Sequence, residues 1–467
     1  MTYCIDVERW LPRPGRDAAD RDVRIQFDGE CEIIGTGCGK AKGLAMRPPV
    51  NAHDHGFGVR PLDFGCIDTA LEPWIASLSL RPPTDPYLEA LVAFGRLLRN
   101  GCAATIHCHN SLKIRQLEAE AAAVAKAAKD CGIRLALSCP LLDTSPMVYG
   151  GMEEFRKTLQ PEEASLIEEE LPSPLPAADQ VALVGHIASA HSGSGIDVQF
   201  GPIGPQWCSD ELLQLTAEAS AASGRQIHMH LLESQRQPTW LNKRFPGGVV
   251  AHLDRIGFLS PRLTVAHGVG LRAAECELLA ARGVTVASNP SVNLRLRSGT
   301  APVADFLGRG LDFAIGLDGM GFDDDQDIWR ELRLFRMLHG GSGLKPGISN
   351  TEIFKAVTET GRHVVNQSDR GDLVVLNYEE LIRDSVFDDL DEAEVLLTRM
   401  TGINVTDLFV SGRQIVKEGQ ILTFDFAAAR AELRRQSQRH LPQLTALRAK
   451  AKLISGAIEN HYLTLYP

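Results

Sequence analysis

The sequence predicts a (β/α)8 TIM barrel, because short apolar runs alternate with amphipathic helical stretches over residues 47–367. Strand and helix in alternation indicate parallel β/α units, and eight such strands suit a closed barrel. A small β-sandwich formed from the N- and C-terminal segments is predicted beside it, since both chain ends carry strand-and-turn patterns without long helices. Polar residues stand at the carboxyl ends of the barrel runs, where this fold places its chemistry.

Eight apolar runs are the predicted barrel strands. In chain order they are 50–55, 102–109, 133–142, 196–204, 226–233, 263–269, 284–290 and 311–319. Between them lie stretches rich in Ala, Leu and Glu, such as 117–132 and 209–224, which close on Gly132 and Gly224. A glycine after the last periodic residue is a helix stop, so these stretches are predicted as helices.

The chain divides into three predicted regions. They are a composite β-sandwich from 1–46 and 368–423, the barrel at 47–367, and a C-terminal helical extension at 424–467. Strands of the sandwich are predicted within 23–37, 371–381 and 405–422. Apolar positions recur at helical spacing in the extension, which breaks near Pro442, so we interpret it as packing helices rather than an interaction arm.

Composition excludes several classes of function. Among 467 residues, 48 are basic and 59 acidic, which gives a net charge of −11 without a Lys/Arg block that could follow a phosphate backbone. The first residues lack the apolar core of a signal peptide, and no run of 18 apolar residues follows. Ten cysteines without a Cys-x-x-Cys pair indicate reduced thiols. We therefore expect a soluble cytoplasmic protein that binds neither nucleic acid nor membrane.

Histidines and a carboxylate recur at the strand ends. His53 and His55 alternate in "VNAHDH", so both imidazoles can point to one face of a strand; alone, such a pair could equally be two solvated loop histidines. His230, His267 and Asp318 end the fifth, sixth and eighth predicted strands. Because the carboxyl ends of barrel strands meet at one face, these side chains are expected to converge. Three imidazoles and a carboxylate suit Zn²⁺ or a similar divalent ion.

The combined order of these motifs resembles the amidohydrolase superfamily, and within it the aminohydrolase branch of heterocycle deaminases and triazine hydrolases. The resemblance rests on "VNAHDH", "GPQWCSDELL", "HMHLLES", "LTVAHGVGL", "SNPSVNLRLRSGTAPV", the Asp-Gly pair at 318–319 and "DLFVSGRQIVKEG". It implies that His53, His55, His230 and Asp318 are metal ligands. It further implies that Glu233 is a proton shuttle, that His267 lies beside the metal, and that the protein is a homodimer.

A single metal ion is expected. Relatives that hold two metals carry a bridging lysine at the end of the fourth strand, and this chain has no lysine between Lys157 and Lys243. Zn²⁺ is the default occupant, although Fe²⁺ or Mn²⁺ would accept the same ligands. The other class of zinc deaminases needs a Pro-Cys-x-x-Cys motif, which is absent from the sequence.

The substrate contacts are less sharply indicated. His109 ends the second predicted strand, and Gln206 and Trp207 follow the fourth, so we expect all three in the pocket, where Trp207 could stack on a ring or merely cap the barrel. Arg60 is a weaker candidate as a carbonyl or carboxylate partner. The acidic stretch "LDGMGFDDDQD" departs from the family pattern at Leu317, Phe322, Asp323 and Asp324; it could attract an amino-rich substrate or simply complement a helix dipole.

The leading hypothesis is hydrolytic deamination of an aminated N-heterocycle of the purine, pyrimidine, pterin or triazine type. A divalent ion lowers the pKa of bound water towards about 7, Asp318 can accept the proton of that water, and Glu233 can protonate the ring or the departing ammonia. The alternative is hydrolysis of a cyclic amide or another non-peptide C–N bond at the same site. A silent binding protein on the same barrel is disfavoured, because each metal and proton-transfer position holds a competent residue.

Overall fold

The structure, a computed structural model, describes residues 3–27, 31–111, 114–144, 147–149, 152–170, 174–193, 195–319, 324–387 and 389–465. Its strands are β1 (Cys4–Trp10), β2 (Asp20–Gln26), β3 (Glu32–Thr36), β4 (Leu44–Met46), β5 (Val50–Asn51), β6 (Ala104–Cys108), β7 (Arg134–Leu141), β8 (Ile196–Pro202), β9 (Ile227–Leu231), β10 (Leu263–His267), β11 (Thr285–Ser288), β12 (Phe313–Ile315), β13 (Leu373–Leu376), β14 (Val405–Val410), β15 (Arg413–Lys417) and β16 (Gln420–Ile421).

Nineteen labelled helices accompany these strands. They are α1 (Leu71–Ser77), α2 (Pro86–Arg99), α3 (Leu117–Cys131), α4 (Met152–Thr158), α5 (Pro161–Glu170), α6 (Ala177–His191), α7 (Asp210–Ser223), α8 (Gln237–Arg244), α9 (Val249–Arg255), α10 (Ala273–Ala281), α11 (Pro290–Arg295), α12 (Val303–Arg309), α13 (Ile328–His339), α14 (Asn350–Lys355), α15 (Gly361–Val365), α16 (Tyr378–Ile382), α17 (Glu392–Arg399), α18 (Phe426–Arg439) and α19 (Leu441–Leu465). Among the described residues, no helix is long and apolar enough to cross a membrane.

Strands β5 to β12 form the predicted barrel. They pair in sequential order, with parallel neighbours throughout. The sheet closes through backbone hydrogen bonds between its first and last strands: Ala52 N donates to Ile315 O at 3.1 Å, and Leu317 N and Asp318 N donate to His53 O at 3.0 and 2.8 Å. Closure therefore places the first and last sequence motifs side by side.

Small side chains fill the barrel interior, and larger ones pack between strands and helices. The interior cluster is dominated by Ala and Val, including Ala52, Ala104, Ala136, Ala287 and Ala314. The outer cluster is the main hydrophobic core and runs around the ring of helices. The predicted helix stops are confirmed, because α3 ends at Gly132 with φ 87° and α7 at Gly224 with φ 71°.

Strands from the two chain ends assemble together, as the sequence predicted for its small β-sandwich, and form one sheet of eight strands. Its order is β16-β15-β14-β13-β4-β1-β2-β3, so N- and C-terminal strands meet where β4 pairs with β13. Strand β4 leads directly into β5 through residues 47–49. The sheet packs its own core around Val7, Trp10, Ile25, Phe27 and Phe409. All ten cysteines are free thiols.

The C-terminal extension consists of α18 and α19, which are separated at His440, close to the predicted break at Pro442. Helix α18 packs against α2, and α19 packs against α1. Ser455 Oγ in α19 donates to Pro73 O in α1 at 3.0 Å. Because α1 follows the first barrel strand, this contact brings the end of the chain to the barrel mouth.

A buried ion-pair cluster joins the barrel to the terminal sheet. Asp372, immediately before β13, is 1% exposed and accepts from Arg134 Nε at 2.9 Å, while Arg362 Nη1 lies 2.8 Å from its Oδ2. Ser411 N also donates to Asp372 Oδ1 at 2.8 Å. Removing the carboxylate charge would leave two arginines without their buried counter-charge.

We expect Asp372→Asn to lower the free energy of unfolding by about 3–5 kcal/mol, the range for breaking a buried ion pair. Urea denaturation followed by circular dichroism measures the change. Asp369→Asn is the matched control, since Asp369 lies 3.4 Å from Arg47 and is partly exposed, so its loss should cost about 1 kcal/mol or less. Equal stability of the Asp372 variant and the parent would contradict the structural role given to this cluster.

Candidate active site

Five polar side chains from the ends of four barrel strands converge at the barrel mouth. His53 Nε2 lies 3.0 Å and His55 Nε2 lies 3.2 Å from Asp318 Oδ1. His55 Nε2 is also 3.2 Å from His230 Nε2, and His267 Nε2 is 3.6 Å from Asp318 Oδ2. The structure thus brings together all four predicted metal ligands and adds His267 to them.

Backbone strain aims two of these side chains. His267 has φ 72° and Asp318 has φ 57°, both in the left-handed region that residues other than glycine rarely adopt. His267 ends β10 and Asp318 lies three residues beyond the end of β12, so the chain turns sharply at both places and directs the side chain over the mouth. Such strain is typical of functional sites and persists only where the surroundings hold it.

The cluster has the chemistry of a divalent metal site. Ligand atoms of His53, His230, His267 and Asp318 all lie within 4.8 Å of one another. The Nε2 atoms of His53 and His267 are buried and make no hydrogen bond within the described part of the chain. Nitrogen lone pairs and a carboxylate oxygen directed at one point are the donors that Zn²⁺, Fe²⁺ or Mn²⁺ accepts. The residues present therefore fit the predicted ion.

The pKa shifts favour ligation at three of the four histidines and at Asp318. Burial lowers the pKa of His53, and burial together with the neighbouring imidazoles lowers the pKa of His230 well below its ordinary value. Burial also lowers the pKa of His267 to about 4. For His55, burial is outweighed by the contact with Asp318, which raises its pKa. Burial disfavours the Asp318 carboxylate, but His53 and His267 hold its pKa well below the usual range.

Glu233 is a second buried carboxyl group, and its pKa is shifted in the opposite direction from that of Asp318. It follows β9, and its Oε2 lies 3.7 Å from His267 Nε2. Burial and the negative charges of Asp318 and Glu72 raise the pKa of Glu233 well above its ordinary value. Its backbone is fixed by a hydrogen bond from Glu233 N to Gln237 Oε1 at 2.7 Å. The site therefore holds an ionised carboxylate and a proton donor side by side.

Three imidazoles of the cluster are each oriented through Nδ1. The partners are Cys108 O for His55 Nδ1 at 3.1 Å, Ile203 O for His230 Nδ1 at 2.8 Å and Asn293 Oδ1 for His267 Nδ1 at 2.9 Å. An Nδ1–H that donates to a fixed acceptor leaves the Nε2 lone pair free to face the metal.

His228 completes this pattern for His53, and the sequence interpretation missed it. His53 Nδ1 lies 2.8 Å from His228 Nε2 and 3.5 Å from Cys108 Sγ. Burial lowers the pKa of His228 well below its ordinary value, so the ring is neutral and its Nε2 can accept a hydrogen bond from His53 Nδ1–H. The signal was present in "HMH", because residues two apart on a strand share a face and His228 must follow His230 to the barrel interior.

The catalytic cavity over this cluster is small and mostly apolar. It has a volume of about 150 Å³, with His55, His230, Glu233, His267 and Asp318 at its base. Its apolar walls are Phe57, Leu71, Trp74, Ile75, Leu78, Ile203, Trp207, Val292 and Leu296. Such a cavity suits a flat ring with its reacting carbon held over polar groups.

The predicted substrate contacts divide into three groups. Trp207 lines the catalytic cavity. Gln206 is buried beside it with both side-chain polar atoms unpaired among the described residues, but it is not part of the cavity wall. His109 is held by Glu120, at 2.9 Å between Nε2 and Oε2, and lines a larger outer cavity instead.

Arg60 lies outside the catalytic cavity and lines a separate cleft. Its Nε donates to Asp63 at 2.9 Å and lies 3.7 Å from Asp324, because a short 3-10 helix at Pro61–Phe64 turns the chain away from the barrel mouth. The structure therefore does not bring Arg60 to the substrate position that the sequence suggested. Phe322 and Asp323 of the acidic stretch lie outside the described residues.

A family model matches most of the chain: the model described as "Amidohydrolase family" covers residues 50–412. This range starts at β5 and includes every residue of the converging cluster. The match therefore covers the whole barrel and two of the four C-terminal strands, β13 and β14.

Curated relatives carry the names of nucleoside deaminases. A 5'-deoxyadenosine deaminase of Methanosarcina mazei is 28% identical over 49% of this chain and 54% of the relative. For a 5-methylthioadenosine/S-adenosylhomocysteine deaminase of Thermococcus sibiricus, the identity is 28% over 55% of this chain and 56% of the relative. The chain spans about half the length of these two relatives. A 5-methylthioadenosine/S-adenosylhomocysteine deaminase of Desulfitobacterium hafniense Y51 is 24% identical over 85% of this chain and 86% of the relative.

Solved structures share the fold. An adenosine deaminase from Xanthomonas campestris with bound zinc gives a TM-score of 0.76 at 19% identity, over 93% of this chain and 98% of its own. An atrazine chlorohydrolase from Arthrobacter aurescens TC1 complexed with zinc gives a TM-score of 0.74 at 18% identity, over 93% of this chain and 99% of its own. At these identities the likeness supports the architecture alone.

We expect His228→Leu to weaken the binding of Zn²⁺ by about 10–100-fold, because His53 would lose the acceptor that fixes its tautomer. Competition with a chromogenic chelator measures the affinity. In His228→Gln a side-chain oxygen can still accept from His53 Nδ1, so this control should bind Zn²⁺ more tightly than the Leu variant. Unchanged Zn²⁺ affinity in His228→Leu would show that His228 does not orient the ligand.

Proposed function

We propose that this chain, which belongs to the amidohydrolase family, is a metal-dependent hydrolase that deaminates an aminated N-heterocycle with water. The observation that carries the proposal is the placement of two buried carboxyl groups in one cavity among the imidazoles: Glu233 Oε2 lies 3.7 Å and Asp318 Oδ2 lies 3.6 Å from His267 Nε2. Addition of water to a ring carbon needs a proton acceptor and a proton donor on the same face, and this pair provides both. Relatives named for the deamination of adenine nucleosides support a purine-type ring.

One divalent ion is part of this proposal, with His53, His55, His230 and Asp318 as its ligands. When bound there, the ion lowers the pKa of water from 15.7 towards about 7 and so supplies hydroxide at neutral pH. Structural neighbours with bound zinc support Zn²⁺ as the occupant. Fe²⁺ or Mn²⁺ would accept the same donors.

The chain's own residues then account for the proton transfers. Asp318 accepts a proton from the attacking water, since its carboxylate stays ionised. Glu233 gives its proton to the ring nitrogen as the new C–O bond forms, which yields a tetrahedral carbon. Glu233, now a carboxylate, takes the proton of the new hydroxyl as the C=O bond forms and passes it to the amino group, which leaves as ammonia when the C–N bond breaks. The proton that Asp318 accepted from the water then restores Glu233 to its starting state. His267, kept neutral by burial and with its Nδ1 on Asn293, faces the same point through Nε2 and can accept a hydrogen bond from the attacking water or the new hydroxyl.

Two further features belong to the proposal. The ten free cysteines, seven of them buried, fit a reducing cytoplasm. The homodimer rests on the family resemblance, and light scattering on the purified protein would measure the mass in solution.

Release of ammonia from a panel of amino-purines, amino-pyrimidines, amino-pterins and triazines is the direct test. We expect ammonia from at least one ring, with about one tightly bound ion per chain by elemental analysis. Ring opening without ammonia would favour the alternative, hydrolysis of a cyclic amide or other C–N bond. Two tightly bound ions in the fully active protein would contradict the single site.

The variants Glu233→Gln and His230→Ala separate proton transfer from metal binding. An amide of nearly the same shape cannot donate or accept a proton at neutral pH, so kcat in Glu233→Gln should fall by about 10²–10⁴-fold. Its metal content should match that of the parent. In His230→Ala a ligand is lost, so activity and metal affinity should fall together, and excess metal should restore part of the turnover. Loss of metal from Glu233→Gln would instead make Glu233 a ligand.

A further inference from the structure

A second cavity adjoins the catalytic cavity and is much larger. This outer cavity has a volume of about 710 Å³, against about 150 Å³ for the catalytic cavity. Both are lined by Phe57, Ile75, Leu78, Asn110 and Ile203, so the two are continuous. The catalytic cavity alone is below the roughly 300–1,000 Å³ of ordinary ligand sites, whereas the outer cavity lies within that range. Space for a substrate therefore extends well beyond the reacting ring.

The last helix of the chain forms part of the outer wall. Ile454 and Ile458 of α19 line the outer cavity, and because they are four residues apart they lie on the same helix face. Both are almost fully buried, at 4% and 1% exposed. Two hydrogen bonds anchor α19 there: Ser455 Oγ donates to Pro73 O at 3.0 Å, and Tyr149 N donates to the Tyr462 hydroxyl at 2.9 Å.

The inner part of this cavity is apolar. Aliphatic side chains come from five different segments: Ile75, Leu78, Leu142, Ile203, Ile454 and Ile458. Its buried polar groups are already paired. His109 is bound to Glu120, and Glu72 is bound to Ser234 and lies 3.1 Å from Arg236. Two arginines also line the cavity: Arg115 is exposed to solvent, and the half-buried Arg81 donates through Nη1 to Asn110 O at 3.0 Å. A ligand group that reaches the isoleucines would thus find hydrocarbon rather than a free charge.

From this continuity we infer that α19 completes a second substrate compartment, which takes an apolar, uncharged substituent carried by the heterocycle. The inference rests on the proposed function, since the ring that anchors the substituent is the one deaminated in the catalytic cavity. Ile454 and Ile458 contact the end of that substituent. Each methylene buried there should raise kcat/KM by about fourfold.

A chain-length series tests the compartment. We would measure kcat/KM for adenine, 9-methyladenine, 9-butyladenine and 9-hexyladenine, with 9-(5-carboxypentyl)adenine as the anionic comparator. In the parent protein kcat/KM should rise along the alkyl series and fall for the carboxylate. A flat series, or a preference for the carboxylate, would overturn the inference.

Variants of α19 locate the effect. We expect Ile458→Trp to lower kcat/KM for 9-hexyladenine at least tenfold, because the indole fills the compartment, while adenine and 9-methyladenine change less than twofold. Activity on adenine also reports that the variant folds. Leu453→Ala is the matched control, because Leu453 lies on the same helix but is 39% exposed. This variant should leave kcat/KM unchanged for the whole series. Equal losses for short and long substrates in Ile458→Trp would contradict a substituent site.

A binding measurement separates this inference from the proposed function. Calorimetric titration of 9-hexyladenine into zinc-loaded protein needs no turnover. Binding that is weakened at least tenfold by Ile458→Trp, with no ammonia released from any compound, would support the compartment and reject the deamination. Ammonia release together with binding that Ile458→Trp leaves unchanged would support the deamination and reject the compartment.

Discussion

Closure of the barrel between β5 and β12 is the constraint on which the active site depends. The carbonyl of His53 accepts from both Leu317 N and Asp318 N, so the backbone that carries the first histidine also fixes the last carboxylate. Asn51 reinforces the junction, since its Oδ1 accepts from Leu317 N at 2.9 Å and its Nδ2 donates to Asp54. Without this junction, Asp318 would have no fixed position relative to His53 and His55.

The sequence predicted the parts of the site that barrel geometry dictates. His53, His230, His267 and Asp318 stand at strand ends, and parallel strands in a closed sheet deliver their ends to one face. The assignment of particular ligands came from the family resemblance and stays a prediction, whereas the strand ends and helix ends followed from the sequence pattern, the helix ends from glycines such as Gly132. The latter inferences needed only local periodicity and one global rule, so they did not depend on details of packing.

Other features depend on contacts that local patterns do not encode. Arg60 lies close in sequence to the His-x-His motif, yet Asp63, three residues later, holds its guanidinium along a short 3-10 helix. His228 was legible as the partner of His230 on one strand face, but its role emerged only when His53 was found 2.8 Å away. The contribution of α19 to a substrate wall could not be predicted, because nothing in its own periodicity specifies the distant α1 on which it docks.

Two buried carboxyl groups show how neighbours, rather than burial, set chemical roles. Asp318 and Glu233 are both nearly inaccessible to water, and burial alone raises the pKa of each. Asp318 lies among imidazoles that favour its charge, whereas Glu233 faces the negative charges of Asp318 and Glu72. The low pKa of one group thus contributes to the high pKa of the other. Because strained backbone at Leu232, with φ 50°, and at Asp318 fixes both side chains, this difference is built into the fold before any ligand binds.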